Sequence, residues 1–209
     1  MSKSKYKYRV YNGKVIKSII ENSRIYFLAA FFAFGVIIGS AIIKSDLAVA
    51  SKISVLVDSY TNLKAGQGIV EIFCNSFSVG AIFIGASVFL GFSLIGYPLI
   101  IWLPFLRGMG FGAVCGYLYS TYRLAGLGYS ILIIYPGAIV STFAFLLSCN
   151  DCCEYSKNAY LKSISGKGQF SKNETKVFLT RQLIYLAFCF ASAFIDAILS
   201  LAFLRFFEI

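Results

Sequence analysis

The sequence predicts an all-α fold: a polytopic membrane bundle of five transmembrane helices, with a cytoplasmic N-terminus and an amphipathic helix between spans one and two. Three observations lead there. Of 209 residues, 58% are apolar and only 13% charged, against roughly 45–50% and 25% in soluble domains. So few polar side chains could not coat the exterior of a soluble fold of this size. The charges also fall in blocks separated by long uncharged runs, and the basic ones favour alternate connections. A net charge of +10 would otherwise suggest nucleic acid, but blocks between apolar runs suit membrane orientation and not a nucleic-acid surface.

Residues 1–24 form a basic cytoplasmic tail carrying Lys3, Lys5, Lys7, Arg9, Lys14, Lys17 and Arg24. Residues 25–209 follow as a single integral membrane domain. Its first span, 25–43, gives about 28 Å of helix, enough for a core of about 30 Å with help from flanking residues. A cleaved signal peptide ending at Gly39-Ser40-Ala41 is the competing reading, but such an apolar region usually runs only about 7–15 residues. Between Lys44 and Ser76, the residues Val49, Ile53, Leu56, Tyr60 and Leu63 recur at helical spacing and make one apolar stripe. That helix would lie on the membrane surface, dock on the spans or bind a partner, and Gly66 and Gly68 would end it.

From Phe77 to Tyr122 the only charge is Arg107. The run is too long for one crossing and suits two, 77–95 and 98–120, joined at Gly96-Tyr97-Pro98, where proline cannot continue the ladder. A fourth span covers 127–149 around Pro136, the polar stretch 150–181 follows, and the last span covers 183–204. With the N-terminus inside, the inner segments hold the seven tail cations plus Lys157, Lys162, Lys167, Lys172, Lys176 and Arg181. The outer segments hold Lys44, Lys52, Lys64, Arg123 and Arg205. This bias fits the positive-inside rule. The loop 150–181 would set topology or sense anionic lipid.

Arg107 and Asp196 lie at matching depth in spans three and five. Each costs about 2.5–3.5 kcal/mol at helix centre, so they are expected either to pair or to fix the register of their own helices. Gly108, Gly112 and Gly116 form a strip without side chains in span three, Gly35 and Gly39 one in span one, and Ala81 with Gly85 a weaker one in span two. Such strips admit a second backbone, within this chain or from another. Pro98 and Pro136 are expected to break helices. No histidine is present, which rules out Ser-His-Asp and Cys-His catalysis and imidazole metal sites. Cys149, Cys152 and Cys153 fall short of the four ligands of a structural zinc site, leaving palmitoylation or no role. Glycines 108, 110 and 112 sit in a span without the ending of a phosphate-binding loop. No catalytic residue, metal or cofactor is expected, and the chain reads as a non-enzyme.

The segment Gly91-Phe92-Ser93-Leu94-Ile95-Gly96-Tyr97-Pro98-Leu99-Ile100, then Phe105-Leu106-Arg107-Gly108 and Gly112, resembles the stage II sporulation protein M family. That family shows an Ile-Gly-x-Pro turn, an apolar run, Leu-Lys/Arg-Gly and a glycine-bearing helix, and Pro136 and Asp196 also fall in its pattern. The resemblance covers about 25–207. It implies a non-catalytic scaffold of the sporulation engulfment machinery, which assembles and localises the peptidoglycan-degrading stage II sporulation proteins D and P at the septal membrane. The lipid bilayer is then a partner, nucleic acid is not, and the oligomeric state stays open. The alternative is a small transporter or permease-like subunit built on Arg107, Asp196 and the break at Pro136.

Overall fold

The computed structural model describes residues 23–43, 69–93, 96–164 and 172–203. Those residues form five helices long and apolar enough to cross a membrane: α1 (Ser23–Ile43), α2 (Ile69–Phe92), α3 (Gly96–Leu124), α4 (Gly126–Ser163) and α5 (Lys172–Phe203). Helices are the expected solution, since a spanning segment must satisfy its backbone polar groups internally. The expected amphipathic helix, with its stripe from Val49 to Leu63 and its end at Gly66 and Gly68, lies outside the described residues. The residues just before Phe77, Glu71 among them, form the first turns of α2, so that span starts earlier than the uncharged run suggests. Glu71 is exposed at the helix N-terminus, where the backbone dipole favours a carboxylate.

α2, α4 and α5 pack on one another at the centre, and α3 lies against α2 and α4. The exterior is apolar where a soluble protein's is polar, and the interior mixes apolar side chains with small polar ones. Ser87, Ser148, Gln182, Ser192 and Ser200 are buried, while Phe89 is 78% and Leu124 82% exposed. Bulky apolar groups therefore face outward, as lipid requires.

The first and third helices cross through their glycines. A Cβ on Gly35 would overlap the carbonyl oxygen of Phe105, and one on Gly39 that of Met109. Reciprocally, a Cβ on Gly108 would overlap the Phe32 carbonyl oxygen, and one on Gly112 that of Val36. At Gly116 the nearest atom is the Ser40 Cα, at 3.0 Å. The two strips thus interleave within the chain, with carbonyl oxygens lying over glycine Cα atoms, an arrangement that admits weak Cα–H···O contacts. Gly85, by contrast, faces open space.

The connections differ from expectation in register. α2 ends at Phe92, and the turn begins at Ser93, whose N–H donates to Leu90 O at 3.0 Å. Gly96 already starts α3, and a Cβ there would overlap the Leu90 carbonyl oxygen. Pro98 is therefore not the break itself. It occupies the first turn of α3, where its missing N–H has no intrahelical acceptor to lose. Between α3 and α4 the reversal occurs at Arg123, a non-glycine residue with φ 49° and ψ −120°. Gly126 follows close against the Leu118 carbonyl oxygen, leaving no room for a side chain.

Pro136 likewise does not end its span. A π-helical turn over Ser130–Ile134 precedes it, and Tyr135 N–H donates to Ser130 O. The wider turn makes room for the proline ring, which would clash with the i−4 carbonyl in a regular helix. The stretch 150–181, expected as a polar connection, is mostly helix: α4 continues through it to Ser163 and α5 resumes at Lys172. Four of its charges mislead a hydropathy reading, because they are answered across the helices. Lys162 Nζ lies 2.6 Å from Glu174 Oε2, and Arg181 Nη1 lies 3.6 Å from Asp151 Oδ2.

Replacing Gly39 with leucine should force α1 from α3 and lower stability by about 1–3 kcal/mol. The same change at Gly85 should cost little. Thermal unfolding of the detergent-solubilised chain compares the two.

Candidate functional site

Arg107 is the charged group set deepest between helices α2, α3 and α4. Eleven residues beyond Gly96, it lies about 16–17 Å along α3. Its Nη2 donates to Ser141 Oγ of α4 at 2.8 Å, and Ser141 Oγ lies 3.2 Å from Ala138 O. The guanidinium carbon stands 5.4 Å from the Phe83 ring centre on α2 and 4.9 Å from that of Phe145 on α4. Those two rings meet edge to face at 5.5 Å. One charge-assisted hydrogen bond is worth about 1.5–3 kcal/mol, and a desolvated cation–π contact up to about 2 kcal/mol. Together they match the insertion cost of about 2.5–3.5 kcal/mol. The cation can therefore be held without a carboxylate. Its Nη1 is buried without a hydrogen-bond partner among the described residues.

The structure does not bring Arg107 and Asp196 together. Arg107 is answered by Ser141 and two rings, whereas the half-buried Asp196 of α5 lies against Gly137 of α4, where a Cβ would overlap its carboxylate. Ser192, one turn before Asp196, donates its Oγ to Gly137 O at 2.7 Å. Gly137 and Ser141 are themselves one turn apart, or about 6 Å. The two charges thus occupy adjacent levels of α4, each met by a different neighbour. Equal depth read from spacing cannot reveal this, because it fixes height along the bundle and not rotation about each helix.

A second polar cluster escaped the sequence reading. Ser148 donates to Gln182 Oε1 at 2.6 Å, and its oxygen lies 2.9 Å from that of Ser87, which in turn bonds Ile84 O at 2.8 Å. Cys152 Sγ donates weakly to Ser87 Oγ at 3.7 Å. The cluster joins α2, α4 and α5 in the buried centre. Its one available signal was Gln182, a neutral polar residue at the edge of the last apolar run. Cys149, Cys152 and Cys153 are all buried in the same core with Cys189, so the cysteine run near 150 faces inward and offers no surface thiol to acylation.

At the end of the bundle where α2 passes to α3, charged groups ring an open cleft of about 600 Å³, lined by Asp151, Glu154, Lys162, Glu174 and Arg181 among others. Arg24 Nη2 at the start of α1 lies 3.7 Å from Glu154 Oε2. Tyr185 Oη donates to Asp151 Oδ2 at 2.9 Å. Ser156 Oγ donates to Ser93 O at 2.8 Å, capping the α2–α3 turn from α4.

Five apolar helices, an outward greasy surface and polar groups gathered inside define a multi-pass integral membrane protein. Residues 28–201 match the profile of the stage II sporulation protein M family. The chain belongs to that family, and with it to the membrane proteins of sporulation. No curated protein and no solved structure matches it.

Because Arg107 and Asp196 are separately held, alanine substitutions at the two should add within about 0.5 kcal/mol. Arg107 and Ser141 should instead couple by about 0.5–3 kcal/mol. Double-mutant cycles on unfolding in detergent read both values. Gly137→Ala should destabilise the bundle by driving a methyl into the Asp196 carboxylate. Adding Asp196→Ala should recover part of the loss in the same unfolding assay.

Proposed function

We propose that this protein is a non-catalytic membrane scaffold of the engulfment machinery. It gathers peptidoglycan-degrading partners, of the stage II sporulation protein D and P kind, at the septal membrane, with its N-terminus on the cytoplasmic side. Membership of the stage II sporulation protein M family carries this reading. The packing agrees with it. Arg107 is held by a hydroxyl and two rings from neighbouring helices. Among the described residues no ion pair joins it to Asp196, the pairing on which the transporter alternative was built. Glycine strips spent on the α1–α3 crossing leave the outer faces, rich in exposed aromatic and aliphatic groups, to meet lipid or a partner's anchor helix.

Affinity capture of the tagged full chain from sporulating cells should co-purify wall hydrolases. Capture of no hydrolase, together with solute flux in proteoliposomes, would replace the scaffold by the transporter.

A further inference from the structure

The α4–α5 hairpin separates its cations into two kinds. Lys162 and Arg181 are spent inside the hairpin on Glu174 and Asp151. Lys157 and Lys176 are exposed and make no ion pair among the described residues. Their depth is fixed by their neighbours. Lys157 follows Ser156, which bonds the α2–α3 turn, and Lys176 follows Thr175, whose hydroxyl meets that of Tyr155 at 3.1 Å. Both cations therefore sit at the level where the apolar helices α2 and α3 turn back.

Lys176 also ends an exposed stripe along α5 through Thr180, Leu183, Ala187, Phe190, Phe194 and Ile198, every third or fourth residue. Such a stripe faces acyl chains, so the lysine at its end lies where the stem follows the hydrocarbon and the ammonium reaches the headgroups. Next to Lys157, Tyr160 and Leu161 are about half exposed beyond the turn, as aromatic and apolar groups at a bilayer interface are.

We propose that Lys157 and Lys176 bind the phosphates of anionic lipid headgroups, while Lys162 and Arg181 do not. The lipid is selected by two ammonium groups on the outer faces of the hairpin. In the cleft between its helices, the cations Lys162 and Arg181 are already answered by carboxylates.

The test uses the purified full chain in phosphatidylcholine bilayers, with spin-labelled phosphatidylglycerol and phosphatidylcholine as probes of lipid association. The unaltered chain should select phosphatidylglycerol, with about fivefold selectivity for each ammonium at low salt and less at high salt. Lys157→Gln with Lys176→Gln should remove the share of both ammonium groups, about fivefold each at low salt. Lys157→Arg with Lys176→Arg should keep it, since the charges remain. Lys162→Gln with Arg181→Gln should leave it unchanged. Full selectivity in the first pair, its loss in the arginine pair, or an equal loss in the last pair would each overturn the proposal.

Discussion

Between helices in a bilayer there is no hydrophobic drive to associate, because lipid tails are as apolar as leucine. Helix contacts must then come from close approach and from polar groups that lipid cannot satisfy. Both are concentrated at a few places in this bundle. The α1–α3 crossing uses closeness alone, with carbonyl oxygens from each helix over the glycines of the other. The centre uses polarity: the buried Ser87, Ser148 and Gln182 tie α2, α4 and α5 together. Arg107 combines the two, since its hydrogen bond and its ring contacts all point from α3 into α2 and α4.

The class of fold was legible because lipid demands a crude signal, long uncharged runs, and all five were present. The glycine strips were legible for a related reason. A spacing of four places small residues on one helix face whatever surrounds them, and Gly35, Gly39, Gly108 and Gly112 needed only to find each other. Boundaries were less legible. Asp151, Glu154, Lys162, Glu174 and Arg181 lower the hydropathy of residues that are nonetheless helical, and each of these charges is met across the hairpin or from α1. Hydropathy measures affinity for lipid, and helicity does not end where that affinity does.

The pairing of Arg107 with Asp196 failed for a geometric reason. Opposite signs at one depth are sufficient for attraction only if both side chains rotate into the same interhelical space. Here α4 stands between them in a functional sense: its Ser141 and Phe145 engage the cation, and its Gly137 receives the carboxylate. Serine and phenylalanine in a span carry no signal of their own. They are ordinary membrane residues until a guanidinium is placed beside them.

The features around Pro136 then become one arrangement. A regular helix would set the proline ring against a carbonyl one turn back; the π-helical turn Ser130–Ile134 relieves this by adding a residue to that turn. The added residue also rotates everything after it, and the first consequence is Gly137, turned toward α5 with no side chain to hold the helices apart. Ser192 takes its carbonyl and Asp196 fills the space where a Cβ would stand. A residue expected to break the span thus sets the rotation of α4 from which the Ser141 and Phe145 contacts to Arg107 follow, one and two turns further along.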